Sequence, residues 1–196
     1  MIEDISLERA GGQLLIQRLT ALNAVALAAA RRVALNPNCA ARIRLSAHIL
    51  ASYRDLSEME IRHFASQPIF LFRPSSIAEA LSQPEASSPP PDSELVRRFV
   101  MVLRDLAQHA IASPAVILGL EPSDTEKSRR LTDDDVEALQ RSNGLIFSPR
   151  IAPTAQLRSS TVDGWDQEQF LSELLRDLGR QLVKSQQSVP KGLSRS

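Results

Sequence analysis

The chain predicts an all-α, mainly helical fold: two similar helical units packed as a pseudo-dimer, short extended segments at 69–72 and 145–147, and a C-terminal helix. Three observations carry this. Apolar residues recur at three- and four-residue spacing over long stretches, the period of a helix buried along one face. Aromatics make up 4% of a composition that is 43% hydrophobic, so Leu, Ile, Val and Ala are expected to build the core. Caps, breaks and short apolar runs then recur at a constant offset, with Leu56-Ser57 falling on Leu131-Thr132.

The opening helix is expected over Leu14 to Leu35, with Leu15, Leu19, Leu22, Ala26, Ala29 and Val33 on one face. Asn36-Pro37 ends it, because proline disfavours helix at the residue before it. A second helix is expected to carry Ile43, Ala47, Leu50 and Tyr53. Ser57 stands three residues before Glu60, a capping box in which hydroxyl and carboxylate exchange hydrogen bonds with each other's backbone. The helix so opened carries Ile61 and Phe64 and ends at Gln67-Pro68. Residues 83–93, with Pro84 and Pro89-Pro90-Pro91, read as a linker.

The second unit starts near Glu94 with a helix to about Ala112. Ser113-Pro114 reads as a cap with proline in the first turn. Ser123 with Glu126, and Thr132 with Asp135, read as further capping boxes. Ser142-Asn143-Gly144 reads as a turn whose residues tolerate left-handed backbone. At the same offset Phe64 falls on Leu139, Ile43 on Leu118, Leu27 on Val102 and Pro74 on Pro149. The expected organisation is therefore 1–82, linker 83–93, 94–150, then a loop and amphipathic helix over 151–184, and a polar tail over 185–196. In that last helix Phe170, Leu174, Leu178 and Leu182 form an i+4 stripe, a candidate partner interface open to homo-oligomer formation.

Composition removes several function classes. Lys+Arg and Asp+Glu are both 23, so the basic excess of a protein that binds nucleic acid unaided is missing. One cysteine, Cys39, excludes an internal disulfide and fits a reducing, cytoplasmic compartment. Glu3, Asp4, Gln13, Gln17 and Arg18 argue against a secretory signal or a membrane span. His48, His63 and His109 have no metal-ligand spacing, and Gly11-Gly12 is not a phosphate loop. Asp133-Asp134-Asp135 lacks the alternating oxygen ligands of a calcium loop and suits the first turn of a helix. No enzyme activity, catalytic residue, metal or cofactor is expected.

The unit resembles the FlhD family of flagellar transcriptional activators. Leu22-Asn23, Ala29 to Val33, Ala41, Arg44-Leu45, Leu56-Ser57 and Phe72-Arg73 follow its pattern in the first half. In the second half Leu118-Gly119 looks like the family's "LG", Leu131-Thr132 like "LT", Asn143 like its asparagine, Leu145-Ile146 like "L-[IV]" and Arg150 like its closing arginine. The family cysteine is replaced by Phe70 or Phe147. The resemblance implies a helical, tethered version of the family's homodimer. It would act as a transcriptional regulator subunit with an FlhC-like protein partner, reaching promoter DNA of flagellar or related genes through that complex. Arg42, Arg44, Arg54, Arg129 and Arg130 are candidate phosphate contacts. The helices after Ser57 and Thr132 begin with acids where a recognition helix would face DNA, so little autonomous reading is expected. The alternative is a non-enzymatic interaction module such as a secretion chaperone or adaptor.

Overall fold

The computed structural model describes residues 2–84, 91–108 and 114–153; for residues 2–11, Gln108, Pro114 and Pro122 it describes the backbone alone. The fold is mostly helical. In order come α1 (Ile2–Leu35), a 3-10 turn (Ala47–Ile49), α2 (Leu50–Arg54), α3 (Glu58–Ala65), β1 (Phe72–Pro74), α4 (Ile77–Ser82), α5 (Ser93–Gln108), α6 (Pro114–Leu118), α7 (Pro122–Ser128), α8 (Asp133–Arg141) and β2 (Phe147–Pro149).

Helix α1 begins earlier than its apolar period predicts, at Ile2. Its predicted face is the buried one: Leu19, Leu22, Ala26, Ala29 and Val33 are in the core. They pack chiefly against α3 and α5. The stretch Gly12–Leu35, mean hydropathy 1.3, is long and apolar enough to cross a membrane by length and composition. Gln13, Gln17 and Arg18 therefore do not exclude a span, contrary to the sequence reading. In this fold its apolar stripe forms the core.

Ile43 does not lie on a second helix. It sits in an extended segment that bridges Phe147, with Arg44 N–H donating to the Phe147 carbonyl at 2.9 Å and Phe147 N–H to Arg42 O at 2.7 Å. Helix begins only at Ala47. Both strands start two or three residues later than the apolar runs suggested and pair antiparallel, Phe72 with Pro149, Arg73 with Ser148 and Pro74 with Phe147. One hydrophobic core joins both halves of the chain. Its middle is aromatic, against the expectation from composition: Phe70 lies 5.8 Å from the rings of both Phe72 and Phe147, and Phe99 lies 5.3 Å from Phe147. Few aromatics suffice because the described ones converge on the strand pair.

Two capping expectations stand. Ser57 Oγ accepts from Glu60 N–H, and Glu60 accepts from Ser57 N–H at 2.7 Å. Thr132 and Asp135 exchange the same two bonds at 3.1 and 2.9 Å, so aspartate reaches as far as glutamate here. Ser123 caps nothing: α7 starts at Pro122, whose fixed φ suits a first helical position, and Glu121 is its N-cap. Among the described residues only Asp92 and Gly119 have positive φ, so Asn143 and Gly144 do not adopt left-handed backbone. The Ser113 cap, the linker residues 85–90, the partner stripe Phe170, Leu174, Leu178 and Leu182, and the polar tail lie outside the described residues.

Candidate functional site

The five candidate arginines do not share one environment. Arg42 is 1% exposed. Its guanidinium donates to Pro91 O at 3.0 Å, Gln140 O at 3.0 Å and Leu145 O at 3.5 Å. Burial lowers its pKa, partly offset by Asp92, which also accepts from Arg42 N–H at 3.1 Å. Asp92 further accepts from Arg32 and is left-handed at φ 57, a conformation aspartate tolerates better than most residues. Arg42 therefore corrects the sequence reading. It is a structural tie between the first unit, the chain entering α5 and the end of α8, and no phosphate reaches it.

Arg44, Arg54, Arg129 and Arg130 are exposed. Arg130 pairs with Glu126 at 2.8 Å and Arg54 with the adjacent Asp55 at 3.3 Å. Exposed pairs of this kind contribute little to stability. Arg44 and Arg129 form no ion pair among the described residues. Neither lines the cleft described below, and no cluster of metal-ligating side chains occurs among the described residues.

The acidic helix starts are engaged within the fold. Glu58 accepts from Arg31 of α1 at 2.9 Å, and Asp133 accepts from Arg104 of α5. Hydrogen bonds from the Thr132 amide and hydroxyl hold the Asp135 carboxyl below its ordinary range. The exposed surface of α8 then carries Asp133, Asp134 and Glu137, with Arg141 bound to Glu137. A helix with this face repels a DNA backbone.

Several polar residues at the heart of the fold gave no sign of burial in the sequence, where Asn23 and Arg150 stood out only as positions of the resembling pattern. Asn23, fully buried, donates to Ile69 O at 2.8 Å and accepts from Leu71 N–H at 3.0 Å, fixing α1 to the strand approach. Arg150 donates to Phe70 O, Val116 O and Ile117 O at 3.1–3.3 Å. Gly119, at φ +69, leaves its path open: a Cβ there would stand 2.8 Å from Arg150 Cδ. Asp124, also buried, accepts from Ile77 N–H at 3.0 Å and Ala78 N–H at 3.4 Å at the start of α4. Burial raises its pKa against those bonds.

A shallow cleft of about 180 Å³ lies between α1 and α5. Leu14, Ala21 and Met101 supply its apolar wall, and Arg18, Arg97 and Arg98 its polar one.

Comparison with protein-family models, curated proteins and solved structures gave no match.

Proposed function

We propose that the chain is a transcriptional regulator subunit of FlhD-like type, non-enzymatic, that acts at promoters through a protein partner and carries both units of a homodimer on one polypeptide. The register of the strand pair carries this reading. Its central pair, Arg73 with Ser148, joins residues separated by the repeat offset. The flanking bonds are counterparts at the same offset: Ser75 N–H donates to Ile146 O at 2.6 Å, and Arg150 N–H to Leu71 O at 2.9 Å. Arg18 with Asp105, and Arg32 with Asp92, run α1 and α5 antiparallel about Ala24 and Phe99, again one offset apart. Contacts centred on equivalent residues are the signature of a two-fold interface.

The resembling positions also meet in space. Phe70 and Phe147, one or other of which stands where the family has cysteine, pack edge to face, while at the repeat offset the counterpart of Phe147 is Phe72. Gly119 and Arg150, from the two ends of the second-copy motif, are in contact. The engaged acidic helix starts favour DNA contact through a complex, with Arg44, Arg54, Arg129 and Arg130 as positioning contacts.

The test is purification from native cells followed by mobility-shift assays on promoter DNA at low salt. The isolated chain is expected to give no shift and the partner complex a shift. Alanine at Arg44 and Arg129 should then flatten the salt dependence by roughly one unit of slope each. A stoichiometric complex that binds no DNA at low salt overturns the proposal. The α1–α5 cleft favours one second reading, an adaptor for another protein; co-purification of a secreted effector without transcription machinery would select it.

A further inference from the structure

The cleft between α1 and α5 is a partly apolar concavity at the surface. Its wall is unusually open for large aliphatic side chains: Leu14 is 47% and Met101 38% exposed. Its rim is cationic. Arg97 and Arg98 share a single carboxylate, Glu94, and Arg18 is paired with Asp105. Among the described residues three guanidinium groups thus stand against two carboxylates, an excess of one positive charge. Helices α1 and α5 run side by side here, so the concavity is a groove along a helix pair. An amphipathic helix lays its apolar stripe into such a groove.

We infer that the groove is the docking site of the chain's own C-terminal segment, residues 167–183. That segment has the matching chemistry. Phe170, Leu174 and Leu178 recur at i+4, and Glu173 and Asp177 flank that stripe at helical spacing. Acids beside an apolar stripe complement a cationic rim, and one or two large side chains fill a concavity of this size. The chain can also reach. The residues between Pro153 and Gln167 extend to roughly 45–50 Å at about 3.3–3.6 Å per residue, more than the span of a small domain. Docking in cis needs no loss of a second molecule's freedom, which favours it over capture of another copy. The docked segment would close the surface that an adaptor reading leaves open, and a partner binding there would have to displace it.

Disulfide trapping in the full-length chain tests this. In a Cys39→Ser background, Met101→Cys is combined with Leu174→Cys, and independently Leu14→Cys with Leu178→Cys; Met59→Cys with Leu174→Cys is the control. Leu14, Met59 and Met101 are 47%, 63% and 38% exposed, so replacing any of them should leave the melting curve of the body close to the parent's. The expected result is an intramolecular cross-link at a groove position at least about tenfold faster than at Met59, because an undocked tether gives every surface cysteine only a millimolar effective concentration. Equal rates at groove and control, or no cross-link at either groove position, overturn the inference. A predominantly intermolecular product overturns it in favour of a second copy.

Discussion

Gly119 offers the sharpest test of the packing, because two separable costs meet at one atom. Alanine at this position first incurs the left-handed backbone at φ +69, about 1–2 kcal/mol for a residue with a Cβ. The new methyl then stands 2.8–3.1 Å from Cδ, Nε and Cζ of Arg150. That side chain cannot swing aside freely, since its guanidinium is bonded to three carbonyls in a buried site. Displacing it forfeits charge-assisted hydrogen bonds, about 1.5–3 kcal/mol. Gly119→Ala should therefore cost roughly 2.5–5 kcal/mol in urea unfolding. In an Arg150→Ala background the steric part is gone, and the same substitution should cost only about 1–2 kcal/mol. The coupling in the double-mutant cycle should thus be about 2 kcal/mol, within the range for residues in contact. Equal costs of Gly119→Ala with and without the Arg150 side chain would refute the reasoning, and would leave the backbone as the sole reason for glycine.

Other outcomes follow from the same structure. Arg42→Ala should destabilise by at least about 1–3 kcal/mol, because it leaves the carbonyls of Pro91, Gln140 and Leu145 without their buried donor, while Arg44→Ala should change thermal stability by less than about 0.5 kcal/mol; lost DNA binding with unchanged stability in Arg42→Ala would contradict its placement. Gly12 lies within α1, and a Cβ there meets nothing within 4 Å; Gly12→Ala should raise stability by about 0.5–1 kcal/mol by melting, and a loss would show a contact at this face. Asp124 has a raised pKa, so its contribution is full below the unfolded carboxyl value and is lost as pH rises through the folded one. Asp124→Asn keeps the acceptor for Ile77 and Ala78 without the charge, so it should be at least as stable as the parent at pH 7, its advantage shrinking toward pH 4; a deficit at pH 7 would mean the charge itself is needed.

Much of the helical frame was legible because its causes are local. The capping boxes at Ser57 and Thr132 act over three residues, and both open helices as read. The stripe from Leu19 to Val33 records burial at helical period, and that burial is observed. Boundaries failed where tertiary contacts overrode the local pattern. Ile43 carries a helical apolar spacing yet lies extended, because Phe147 offers its segment backbone hydrogen bonds across the core. Ser123 satisfies a capping pattern, but Pro122 starts the helix one residue earlier.

Charge was the least transferable signal. Arg42 and Arg44 stand two residues apart in the sequence, and only Arg42 is buried. Nothing local distinguishes them. What separates them is the convergence of Pro91, Gln140 and Leu145, distant in the chain, on one guanidinium. The sequence by itself determined the helical class and the two capping boxes, since period and capping are properties of neighbouring residues. Only the tertiary structure decided which polar groups hold the halves together. A buried charge is tolerated only where distant carbonyls and carboxylates meet it, and that meeting exists only in the folded chain.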